Sequence, residues 1–127
     1  MAGAPPADVF DLAASAIDRD VVYAATRGGL MVSRDAAKSW KPTGPAGQPA
    51  TMVAVGPNGS VYGFVLGSGL LKAPGAALSW RTVNADFGER LLIHLAIDRA
   101  NPDRMFAVTD EGRILTILDR GQSWTPV

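Results

Sequence analysis

Asp110 and Glu111 stand side by side in the stretch TDEG, and Asp86, Phe87, Glu89 and Arg90 crowd into NADFGER at 84–90. Carboxylates facing one another across a cleft are what glycoside hydrolysis needs, one as acid and one as base or nucleophile. Together with Arg27, the same side chains would also make a mixed-charge surface for a protein or glycan ligand. The plainer reading is of solvated loops, since TDEG is a good turn sequence. A different set recurs along the chain. SRDAAKSW places Ser33, Asp35 and Ser39 ahead of Trp40, and ILDRGQSW places Asp119, Gly121 and Ser123 ahead of Trp124. APGAALSW retains only Ser79 and Trp80. A short carboxylate in a tight turn accepts hydrogen bonds from otherwise unpaired backbone N–H groups, so the chemistry of Asp35 and Asp119 is conformational. His94 is the one histidine and cysteine is absent, so no metal site or cofactor is expected. Gly28-Gly29 is a turn signal, with no phosphate-loop pattern around it.

The elements that must position these residues come from an internal repeat. Trp40, Trp80 and Trp124 bring their surroundings into register: VVYAATRGGLMVSRDAAKSW lies over SVYGFVLGSGLLKAPGAALSW and RMFAVTDEGRILTILDRGQSW. Ahead of each comes a further apolar segment: LAASAID, TMVAVGP and LIHLAID. The pieces are short, rich in β-branched and aromatic residues and divided by Gly, Pro, Asp or Asn, as strands of a meander are. This predicts four strands, a to d, per unit: at about 11–17, 21–26, 29–33 and 39–43, then about 50–55, 60–66, 69–73 and 79–83, then about 91–97, 104–109, 113–118 and 122–126. No window keeps helical spacing. Tyr23, Tyr62 and Phe106 share one place in strand b, which marks it as a packing position. His94 aligns with Ala14 and Met52.

The spacing Ser/Thr-x-Asp-x-Gly-x-Ser/Thr-Trp resembles the Asp box of BNR repeats, found in sialidases, sortilin-type Vps10 domains, xyloglucanase-type glycoside hydrolases and photosystem II assembly factors. The resemblance covers nearly the whole chain. It departs from the pattern at Ala37, where Gly is usual, at Ile117 in place of Ser, and at Gly75 in place of Asp. It implies an all-β fold of three four-stranded β-propeller blades, at about 9–44, 48–84 and 90–127, in one segment spanning 1–127. It also implies that the boxes sit on c–d hairpins away from the usual ligand face. The d–a and b–c connections would share that other face, gathering Arg27, Asp86, Phe87, Glu89, Arg90, Asp110 and Glu111, with Phe87 exposed. Strand a would be innermost, with His94 on the central channel. The arginine trio and Tyr/Glu pair of a sialidase cannot be placed on these loops, so no catalytic residue is assigned.

Twelve basic and twelve acidic residues cancel, and no basic cluster marks a nucleic-acid partner. No apolar run is long enough to suggest a membrane span. The start, MAGAPPADVF, lacks a signal-peptide pattern: export or a periplasmic location would require a trimmed start, and the cytoplasm is the alternative. A propeller closes with 4–8 blades, and three blades leave two apolar faces open. The expectation is therefore a non-enzymatic binding or scaffolding module that dimerises into a six-bladed ring. The alternatives are a portion of a BNR-type glycoside hydrolase, or a piece of a longer propeller.

Overall fold

The computed structural model describes residues 8–75 and 79–127. It holds twelve strands in three antiparallel sheets of four, each a meander with neighbours in chain order. Sheet 1 comprises β1 (Val9–Ala14), β2 (Val22–Thr26), β3 (Gly29–Ser33) and β4 (Lys41–Ala46). Sheet 2 comprises β5 (Ala50–Val55), β6 (Val61–Val65), β7 (Gly69–Ala73) and β8 (Arg81–Asn84). Sheet 3 comprises β9 (Leu92–Ile97), β10 (Met105–Thr109), β11 (Ile114–Leu118) and β12 (Ser123–Pro126). One short 3-10 turn, Asp119–Gly121, is the helical element among the described residues. The strand expectations hold to within a few residues, and the outermost strands begin later than expected: Trp40 and Trp80 precede β4 and β8, and only Trp124 lies inside its strand.

Sheet order follows from which faces are apolar. In β6 every residue is buried, because VYGFV offers both faces to neighbours. Val61 and Val65 meet Tyr23, Ala25, Leu30 and Val32 of sheet 1. Tyr62 and Phe64 meet Leu95, Met105, Ala107, Leu115 and Ile117 of sheet 3. Gly63 lets Leu30 in: a Cβ there would stand 2.8 Å from its Cδ1. By contrast β11, ILTIL, alternates exposed and buried, since only one of its faces is covered.

The strand registers make the three sheets equivalent position by position. Tyr23, Tyr62 and Phe106 are paired with Ala13, Ala54 and Ala96 of strand a. Tyr23 packs on sheet 2 and Tyr62 on sheet 3. Phe106 occupies the corresponding face of sheet 3, where no other described blade packs on it. His94, opposite Val108, corresponds to Met52 opposite Phe64 and to Asp11 opposite Ala25. Asp11, not Ala14, is thus its counterpart in sheet 1, since Ala14 pairs with Val22, one residue ahead of Tyr23, while Asp11 pairs with Ala25, two residues beyond it. Innermost strands are tied together: Val53 N–H donates to Asp11 Oδ2 at 3.1 Å, and the Thr51 hydroxyl donates to the Leu92 carbonyl.

Candidate functional site

One hydrogen bond repeats at one end of all three sheets. The first residue of each b–c turn donates its N–H to a carbonyl just ahead of strand a: Arg27 to Asp8 at 3.2 Å, Leu66 to Pro49 at 2.9 Å, and Asp110 to Leu91 at 2.9 Å. This bond brings the b–c turns and the d–a connections to the same end. At the opposite end, the box turns donate to the carbonyls preceding strand b, Ala36 to Asp20 at 2.9 Å and Arg120 to Asp103 at 3.1 Å.

At the b–c end the connection 85–91 is the most built segment. The Phe87 ring is 1 % exposed and lies edge-on to Phe64 and stacked on Trp124, with centroids 5.7 and 5.8 Å away. The expectation of an exposed Phe87 is therefore corrected. Polar neighbours on both sides suggested a surface loop, but the chain dips inward so that one large ring can close the seam between sheets 2 and 3. The Trp124 indole N–H donates to the Asp86 carbonyl at 2.8 Å, so Asp86 enters this lock through its backbone. The Arg90 guanidinium lies 4.8 Å over the Trp124 ring and donates to the Phe87 carbonyl at 3.2 Å. Asp110 accepts from Leu91 N–H at 3.1 Å.

Glu89, Arg90, Asp110 and Glu111 together line an open hollow of about 360 Å³. A second hollow of about 230 Å³ adjoins it, floored by Phe64, Leu66 and Phe87 and sharing Glu89 and Arg90. Arg27 stands apart from both, ion-paired with Asp8 at 3.3 Å. A larger hollow, about 440 Å³, opens at the other end among the ends of the innermost strands, where Ser15, Gly56 and Arg99 contribute. His94 lines none of these hollows and is exposed on the open face of sheet 3. Among the described residues no cluster of three or more His, Asp or Glu side chains could hold a metal.

The Ser/Asp/Trp stretches behave as turn devices. Asp35 accepts from Ser39 N–H at 2.8 Å, from the Ser33 hydroxyl at 2.9 Å and from the Ser39 hydroxyl. These bonds, the Ser39 hydroxyl first, hold the Asp35 pKa down to about 2. Ser33 also accepts from Ala37 N–H at 2.9 Å. In sheet 3 the smaller set has a plain cause. Ile117 has no hydroxyl and is wholly buried, and Asp119 accepts from the Ser123 hydroxyl at 3.0 Å. The indoles differ too: Trp40 donates back to Ala37 O at 3.2 Å, whereas Trp80 reaches sheet 1 at Thr43 Oγ1, 2.7 Å away. In the second stretch Ser79 is exposed, and positions 76–78 lie outside the described residues.

No protein-family model and no curated protein matches the sequence. Solved structures do. A structure of YCF48 bound to D1 peptide aligns with a TM-score of 0.76 at 18% identity, over 99% of this chain and 42% of that one. YCF48 from Cyanidioschyzon merolae aligns at 0.74 and 16% identity, over 94% and 36%. An ancestral GH74 enzyme aligns at 0.78 and 22% identity, over the whole of this chain and 19% of that one. The chain thus spans less than half of each structure, and at these identities the likeness is one of fold: the three sheets are β-propeller blades.

Proposed function

We propose that this chain is a non-enzymatic binding module of Asp-box propeller blades, and that two copies close a six-bladed ring. One observation carries this reading: the faces of blades 1 and 3 that no other described blade covers match the two halves of a seam that occurs twice within the chain. Blade 3 ends on Phe106, Val108, Ile114 and Thr116, which stand where Tyr62, Phe64, Leu70 and Lys72 of blade 2 meet their neighbour. Blade 1 begins on Leu12, Val22, Ala24 and Met31, which stand where Val53, Val61, Gly63 and Leu71 meet theirs. Leu12 at 58 %, Ile114 at 49 % and Leu118 at 38 % are large apolar side chains exposed on those faces. A second copy supplies the missing half to each in a two-fold arrangement. Leu12→Lys and Ile114→Lys, one on each face, should each dissociate the dimer while leaving the monomer folded. A dimer that survives both changes contradicts this mode of closure.

The ligand belongs at the b–c end, where Glu89, Arg90, Asp110 and Glu111 border a hollow with an apolar annexe. A protein segment suits it, offering a side chain to the Phe64 and Phe87 edges and polar groups to the carboxylates. That a propeller of similar fold has been solved with a peptide supports a protein ligand here. Exposed changes such as Glu111→Ala should alter binding while leaving stability within about 0.5 kcal/mol, and bound ligand should slow amide exchange around 85–91 and 110–112. Slowing at the box turns instead would place the ligand at the wrong end.

The clustering of Glu89 and Glu111 on one hollow favours a second reading, part of a GH74-like glycoside hydrolase. Turnover of a β-glucan panel that Glu111→Gln abolishes would establish it and displace the first.

A further inference from the structure

Away from the proposed ligand face, an unbalanced group of cations lies at the rim of the seam between blades 2 and 3. Lys72 in β7 is paired with Tyr62 of β6 on one side and with Arg81 of β8 on the other. All three side chains therefore share the face turned toward blade 3. Blade 3 contributes Arg120 from its box turn and Asp103 from its a–b turn, ion-paired at 3.0 Å. The Lys72 ammonium stands 5.5 Å from the Tyr62 ring centroid. Among the described residues neither Lys72 nor Arg81 has a carboxylate within ion-pair distance. Three cations thus share one carboxylate, and Arg120 already holds it.

The other two blades do without a cation at this position: Val32 stands there in blade 1 and Thr116 in blade 3. A partly buried ammonium among like charges weakens folding where a valine would pack without electrostatic cost. The Lys72 ammonium is accordingly driven toward its neutral form, first by burial and then by Arg81 and Arg120, with Asp103 opposing. An anion would complete the group.

We propose that Lys72, Arg81 and Arg120 form a site for a tetrahedral oxyanion, a phosphate or sulfate group, at the box end of the seam between blades 2 and 3. The ammonium serves as a point charge, and the guanidinium of Arg81 offers paired N–H donors. Arg120 gives its Nε to Asp103, which leaves its terminal nitrogens for the ligand. The site is independent of ring closure and of the b–c end.

The test uses the full chain with inorganic phosphate or inorganic sulfate against chloride at matched ionic strength. The wild type should show a saturable rise in Tm with one or both oxyanions, and the Lys72 pKa, followed by NMR, should move up as the site fills. Arg81→Gln should weaken binding about tenfold. Lys72→Met should melt higher than wild type without oxyanion and lose the response. Response to phosphate alone or to sulfate alone identifies the group. No saturable response, or one that persists in both variants, overturns the site.

Discussion

Ala37 occupies a position at which an L residue is strained. Its φ is +72°, and Ala36 beside it is at +61°. A left-handed alanine costs about 1–2 kcal/mol, while a glycine costs about 0.4–1 kcal/mol of extra freedom in the unfolded chain. Ala37→Gly should therefore stabilise the protein by about 0.5–1 kcal/mol in a denaturant titration. The Ser33 and Asp35 hydrogen bonds explain why the turn survives without the usual glycine. Asp35 makes a second test at this scale. A carboxylate held below its ordinary value lends stability that is complete above about 3.8 and is lost as pH falls toward about 2. NMR titration should find Asp35 ionising near the lower figure, and Asp35→Asn should remove its share of the acid sensitivity. Ionisation at the ordinary value would mean that the Ser39 bonds do not form. The Ser33, Asp35 and Ser39 hydrogen bonds fall within one of the stretches that the repeat singles out, because types and spacing carry that signal. Phe87 was not legible in this way, because burial depends on a fold-back that its polar neighbours conceal.

The b–c end connection acts as an element, locking blade 2 to blade 3. Phe87→Ala should cost about 3–5 kcal/mol, the range for an aromatic removed from a closed core. It should also shift Trp124 fluorescence, since the two rings stack. The box turn of blade 3 is tied to the same seam through Gly121. There φ is +102° and an added Cβ would lie 2.7 Å from Val83 Cγ1, so Gly121→Ala should destabilise through both backbone and contact. A neutral Gly121→Ala, measured by thermal melting, would mean that the blade 3 turn does not press on β8. Strand existence and order could be read from apolar runs and the repeated Trp. Strand ends and the bulges could not, because cross-strand hydrogen bonding fixes them: the shift between Val9 and Asp11, matched between Ala50 and Met52, has no signal in DVFDLAA or PATMVAV.

At the scale of the molecule, three blades make two seams, and in the proposed dimer a second copy would complete the ring from the remaining faces. The repeat was enough to expect the blades, and solved propellers of the same fold agree with them. Face assignment needed the registers, which set Phe106 and Ile114 on one side and Leu12 and Met31 on the other. The proposed partner, a second copy, follows from the physical likeness of these faces to the buried seams. Light scattering on the size-exclusion peak of the chain at micromolar concentration tests it most directly. A closed six-bladed ring requires a particle of twice 13.3 kDa that persists on dilution until it unfolds. A stable, folded monomer of 13.3 kDa would contradict it.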